Sequence, residues 1–125
     1  MTLSFDRMEW MPSPPLAPGS DAIDVAHLQR MTLGEQDLER EVLAMFLQQS
    51  RTLIARLVQK PVDNAAIAHT LKGAAKAIGA FAVADAADDV ELRLRADQNV
   101  EQAIASLCDA IDTAHIEIQG LLLKH

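Results

Sequence analysis

From Val100 to Leu122 the apolar residues return every three or four places. Val100, Ile104, Leu107, Cys108, Ile111, Ala114, His115, Ile118, Leu121 and Leu122 form one series, while Glu101, Asp109, Asp112 and Glu117 fall outside it. That is the period of an α-helix with one buried face. A helix of this length cannot cover such a stripe by itself, so the pattern demands neighbours. Residues 35–58 offer one. Val42, Met45, Phe46, Leu53 and Leu57 share a face there, and Leu43, Leu47, Ile54 and Val58 widen it enough to serve two partners. The rest of the apolar material, 50% of the chain, is mostly Ala, Leu, Ile and Val, with 3% aromatics and no tyrosine. Packed helices use such residues better than a strand-built sandwich does.

Extended along the chain, this reading predicts helices over about 22–32, 35–58, 62–78, 81–96 and 99–123. Thr32 with Glu35, and Asn99 with Gln102, have capping-box spacing at the starts of the second and last helices. Pro61 and Gly79 mark the breaks on either side of the third. Short connections between long helices imply antiparallel neighbours. The expected fold is therefore all-α: an antiparallel up-and-down four-helix bundle with a short N-terminal covering helix, built from residues 21–125. Residues 1–20 precede it as a Pro-rich extension or linker, with Pro12, Pro14, Pro15 and Pro18 favouring an extended segment. Phe5, Met8 and Trp10 either dock on the bundle or belong to a tail without fixed structure.

Several function classes are disfavoured by what the chain carries. Its formal net charge is −7, with no basic stripe interleaved with aromatics, so no nucleic-acid partner is expected. The N-terminus lacks the layout of a secretory signal and no apolar run approaches membrane-spanning length, so a cytoplasmic monomer without membrane contact is expected. Cys108 stands alone, which leaves no disulfide framework and no zinc-ligand spacing, and it is expected in the core.

The chemistry-bearing stretch is A-H-T-L-K-G-A-A-K-A-I-G-A, with His69 in second place. At about 100° per residue, with Ile67 at zero, Leu71, Ala74, Ala75 and Ile78 lie within about 80° of it and form the buried stripe. His69 falls at about 200°, Lys72 at about 140°, Lys76 at about 180° and Gly73 at about 240°. The histidine thus shares an outward face with two lysines and a glycine. An exposed imidazole is a competent nucleophile at neutral pH, and a lysine one turn away attracts an anion without hydrolysing anything. Gly73 costs helix stability. Its place away from the apolar stripe favours a clearance role, room for a large partner to approach the imidazole, over close helix–helix packing.

The sequence H-T-L-K-G, with Gly79 ten positions after the histidine, resembles the signature of histidine-containing phosphotransfer (HPt) domains, and the likeness extends over about residues 22–123. The resemblance implies a four-helix bundle that shuttles a phosphoryl group between the aspartates of receiver domains in a multistep two-component phosphorelay. It implies His69 as phosphoryl acceptor, Lys72 as its electrostatic neighbour and Gly73 as the clearance site. Lys76 and Arg95, placed around the same face by the helix count and the hairpin register, are expected with Gly73 on the partner-binding surface. The partners would be receiver domains of response regulators or of hybrid histidine kinases. The chain would be a phosphocarrier rather than a kinase. No cofactor of its own is expected, since the chain has no phosphate-cradling glycine loop and no convincing carboxylate cluster for magnesium; Mg²⁺ would sit on the receiver.

If the third and fourth predicted helices form a hairpin centred near Ala80, Glu91 lies opposite His69. It can then accept from the ring Nδ1–H, leaving Nε2 free to attack. It can equally pair with Lys72 or Arg95, or be a solvated surface acid. Among rival functions, Asp24 with His27 and Asp112 with His115 have the i, i+3 spacing of carboxylate-bridged metal sites. That reading lacks inward glutamates on the other helices, and His115 reads better as a core or boundary histidine, His27 as a surface residue and His125 as a frayed terminus. A module that sequesters a receiver without turnover would use the same surface as a carrier. The dimerisation helices of a histidine kinase are disfavoured, because T-L-K-G follows the histidine here where an acidic residue and a proline would be typical.

Overall fold

The computed structural model describes residues 22–60 and 64–123, and these form five α-helices with no strand among them. The helices are α1 (Val25–Met31), α2 (Gln36–Gln59), α3 (Ala65–Ile78), α4 (Phe81–Arg95) and α5 (Glu101–Leu123). The expectations for residues 1–20, Pro61 and His125 lie outside the described residues. Each long helix packs mainly on its chain neighbours, most closely α3 on α4, and α2 and α5 close the ring, which is the up-and-down bundle.

The core is aliphatic. Leu28, Leu43, Leu57, Leu71, Val90, Leu107 and Ile118 are fully buried, with Phe46, Val83 and Ile111 nearly so. Where α3 meets α4 the buried positions are largely alanines, Ala68, Ala75, Ala84 and Ala87. Small contact residues bring helix axes toward the lower end of the usual ~8–10 Å spacing. Side chains on the adjoining edges of these two helices can therefore meet. The broad α2 stripe is only partly used: Met45 and Val58 stay 65% and 52% exposed, because α3 and α5 cover only the sector centred on Leu43, Phe46, Ser50 and Leu57.

Two capping expectations came out differently. Asn99 does cap α5, its Oδ1 accepting from the Glu101 amide at 3.0 Å. Thr32 instead closes α1. Its buried hydroxyl donates to the Leu28 carbonyl at 2.9 Å, and the chain then passes through two left-handed residues, Leu33 (φ 56°) and Gly34 (φ 73°), before Glu35 starts α2 without a side-chain cap. The reversal consumes the residues that a capping box would need.

Gly79 ends α3 at φ 83°, and its carbonyl accepts from the Asp24 amide at 2.9 Å. A Cβ there would sit 2.7 Å from the Asp24 carbonyl oxygen, so the left-handed turn and the seating of α1 both require glycine. Glu117, off the apolar series of α5, holds the same lead-in segment: its carboxylate accepts from the amides of Ala22 and Ile23, both at 3.0 Å. The short first helix thus covers the α3–α4 corner of the bundle.

Candidate functional site

His69 sits near the middle of α3 with its side chain 63% exposed, as the helical angle predicts. Its Nδ1 lies 3.0 Å from Glu91 Oε2 and 3.2 Å from Oε1. Glu91 comes from α4, whose antiparallel register against α3 places it there, and its side chain is only 9% exposed. It is no solvated acid. Lys72 Nζ lies 3.0 Å from Glu91 Oε1, and Arg95 Nε donates to Glu91 Oε2 at 3.1 Å. The three pairings weighed for this carboxylate, with His69, Lys72 and Arg95, are all present together.

Burial alone would raise the Glu91 carboxyl, but hydrogen bonds from Lys72, Arg95 and His69 outweigh it and hold the group below the ordinary glutamate value. An ionised carboxylate only accepts, so the ring nitrogen facing it carries the proton. His69 is therefore the Nδ1–H tautomer when neutral. Its Nε2 lone pair points away from α4, and no hydrogen bond engages Nε2 among the described residues.

Lys72 differs from the sequence expectation. It does not stand free on the outward face: its side chain is 19% exposed and its ammonium is shared between Asp88 Oδ1 and Glu91 Oε1, each at 3.0 Å. Its pKa is raised, first by the hydrogen bond to Asp88 and then by that to Glu91. The angular count put Lys72 at the edge of the outward sector, and a long lysine stem from that edge reaches back to α4. Gly73 is exposed, with nothing within 4 Å of where a Cβ would be, and so is no packing glycine in this bundle. Lys76 is exposed one turn further, near enough to Asp85 to oppose the rise that burial and Asp88 cause in that carboxyl. Arg95 keeps 57% of its side chain exposed while holding Glu91.

Asp88 was missed by the sequence reading. The signal was available, because the hairpin register that pairs Glu91 with His69 also sets Asp88 against Lys72. The other two described histidines lie away from this site. His115 is buried on α5 with Nε2 at 2.6 Å from Ser50 Oγ, whose hydroxyl also lies 2.6 Å from the Phe46 carbonyl. His27 is half-buried against the edge of the Phe81 ring, at 5.1 Å between centroids, rather than a free surface residue. The Asp24–His27 spacing is that of a helix cap, Asp24 Oδ1 accepting from the His27 amide at 3.0 Å. Among the described residues no three or more His, Cys, Asp or Glu side chains gather as a metal site would require, and no helix is long and apolar enough to cross a membrane. Cys108 is half-buried rather than fully in the core, and burial pushes its thiol pKa up.

The Hpt domain family model matches residues 41–120, and the chain belongs to that family. The match contains all of α3 and α4 and with them His69, Lys72, Gly73, Asp88, Glu91 and Arg95. No curated protein matches the chain significantly. Hpt domains are phosphocarrier modules of two-component signalling and interact with receiver domains, so the chain has a phosphotransfer role there.

Proposed function

We propose that the chain carries a phosphoryl group on His69 between receiver-domain aspartates in a multistep phosphorelay, as a carrier without kinase activity. The observation that carries this reading is the imidazole itself, its side chain 63% exposed while a buried, charged glutamate holds Nδ1. In the step proposed, the Nε2 lone pair attacks the phosphorus of a receiver aspartyl phosphate. The P–O bond to the aspartyl carboxyl breaks and its electron pair returns to that carboxylate. The ring keeps its Nδ1 proton, and the positive charge it gains faces Glu91. Transfer to the next receiver reverses these changes.

Such a transfer needs positioning and charge neutralisation above all. Lys72 supplies a cation one turn from the acceptor, and Gly73 leaves open space beside it. Lys76 and Arg95, exposed on the same side, are proposed to meet the partner. A receiver is expected to bring magnesium and most of the transition-state stabilisation. Incubation with a panel of phosphorylated receiver domains tests the reading. Acid-labile label on His69 that a second receiver then removes supports it; receiver binding with no label transferred supports a sequestering module instead.

A further inference from the structure

The Lys72 ammonium is not where a phosphoryl group on Nε2 would use it. Both of its partners, Asp88 Oδ1 and Glu91 Oε1, lie on α4, and the same Glu91 oxygen is within 3.2 Å of His69 Nδ1. The cation is therefore held on the Nδ1 side of the ring, with the acceptor nitrogen on the other side. Glu91 meets the ammonium through Oε1 while its Oε2 holds His69 and Arg95, so this carboxylate serves the ring as well as the cation. Asp88 has no such obligation: its carboxylate is 44% exposed and the hydrogen bond it accepts from Lys72 is the only side-chain hydrogen bond found for it among the described residues.

We propose that Asp88 is a positioning residue that parks Lys72 against α4, so that phosphoryl uptake at His69 requires the ammonium to leave Asp88 and swing toward Nε2. The inference rests on His69 being the phosphoryl acceptor. Asp88 makes no contact with the reacting atoms; it acts through Lys72 alone, setting how much of the lysine's charge is available to the incoming group. The phosphoryl oxygens compete with Asp88 and Glu91 for the ammonium, so the parked state yields when phosphate arrives and returns when it leaves. The arrangement slows loading of an idle site and helps unloading.

The test uses phosphoramidate, a small donor from which His69 Nε2 takes the phosphoryl group as the P–N bond breaks and ammonia leaves, so no receiver is needed. In Asp88→Asn the lysine, left with Glu91 as its remaining ionic partner, should speed labelling of His69 roughly two- to five-fold at low salt, the range open to a half-exposed ion pair. Asp88→Glu, which can still reach the ammonium, should restore the slow rate. In a Lys72→Ala background, Asp88→Asn should have little effect, and at about 1 M salt, where the screening length falls to roughly 3 Å, the wild type and Asp88→Asn should converge. An unchanged rate in Asp88→Asn, or the same acceleration in the Lys72→Ala background, overturns the proposal while leaving the acceptor reading intact. Failure of the wild-type chain to label at His69 overturns both.

Discussion

Replacement of Gly73 separates the stability of the bundle from its ability to receive a partner. The glycine lies inside α3, exposed, with open space where a Cβ would go, so alanine meets no steric cost. Helix propensity then favours Gly73→Ala by about 0.8–1 kcal/mol, and Gly73→Gln should be at least as stable as the wild type. A docked receiver has to approach the imidazole across this position. Inserting several heavy atoms into a packed contact costs about 1–3 kcal/mol, or roughly 5- to 150-fold in affinity. Denaturant unfolding measures the first effect and receiver-to-His69 transfer at limiting receiver the second, with phosphoramidate labelling as a partner-free control. Stability should rise or hold through Gly73→Ala and Gly73→Gln, transfer should fall with side-chain size, and phosphoramidate labelling should stay near the wild-type rate. Transfer at the wild-type rate in Gly73→Gln removes the clearance role, and unfolding of that variant refutes the reading of α3's exposed face.

Other perturbations bear on the scaffold and the charge network. Gly79→Ala should destabilise the fold by about 1–3 kcal/mol, because the left-handed backbone and the 2.7 Å approach of the Asp24 carbonyl both exclude a Cβ; thermal unfolding checks it, and a neutral result would mean α1 seats differently. His115 has its pKa lowered by burial first and by Arg51 next, against Asp112, so its contribution to stability is full above the unfolded value of about 6.5 and is lost as pH falls through the folded one. Melting temperature should therefore decline below about pH 6.5, and His115→Gln should flatten that decline; an unaltered slope would refute it. Lys72→Ala should slow receiver-mediated transfer while leaving His69 phosphorylatable, and an unchanged rate at low and moderate salt would reduce Lys72 to a structural tie.

The helices were legible because long amphipathic periods leave little choice of partner face, and the outward direction of His69 followed from the same arithmetic. The register of α3 against α4 was legible too, because a glycine fixes where the hairpin turns, and that register brought Glu91 to His69. Other features were not legible, three of them for plain physical reasons. Thr32 was assigned to the wrong helix because a capping-box spacing is local and cannot show that Leu33 and Gly34 turn left-handed first. Lys72 was placed outward because a wheel locates the Cα and says nothing of where a long stem goes. Met45 and Val58 were counted as buried because the width of an apolar stripe does not reveal how much of it two neighbours cover.

The central claim is that His69 carries the phosphoryl group, and His69→Gln tests it most directly. The side chain is 63% exposed and lies outside the aliphatic core, so the variant should melt cooperatively like the wild type, close to the same temperature. Both proteins are incubated with phosphoramidate and with phosphorylated receiver domains, and acid-labile phosphate is followed by radiolabel and intact mass. The account predicts label on the wild type from both sources and none on the folded variant. Label persisting on His69→Gln, or a wild-type chain that accepts phosphate from neither source, contradicts it.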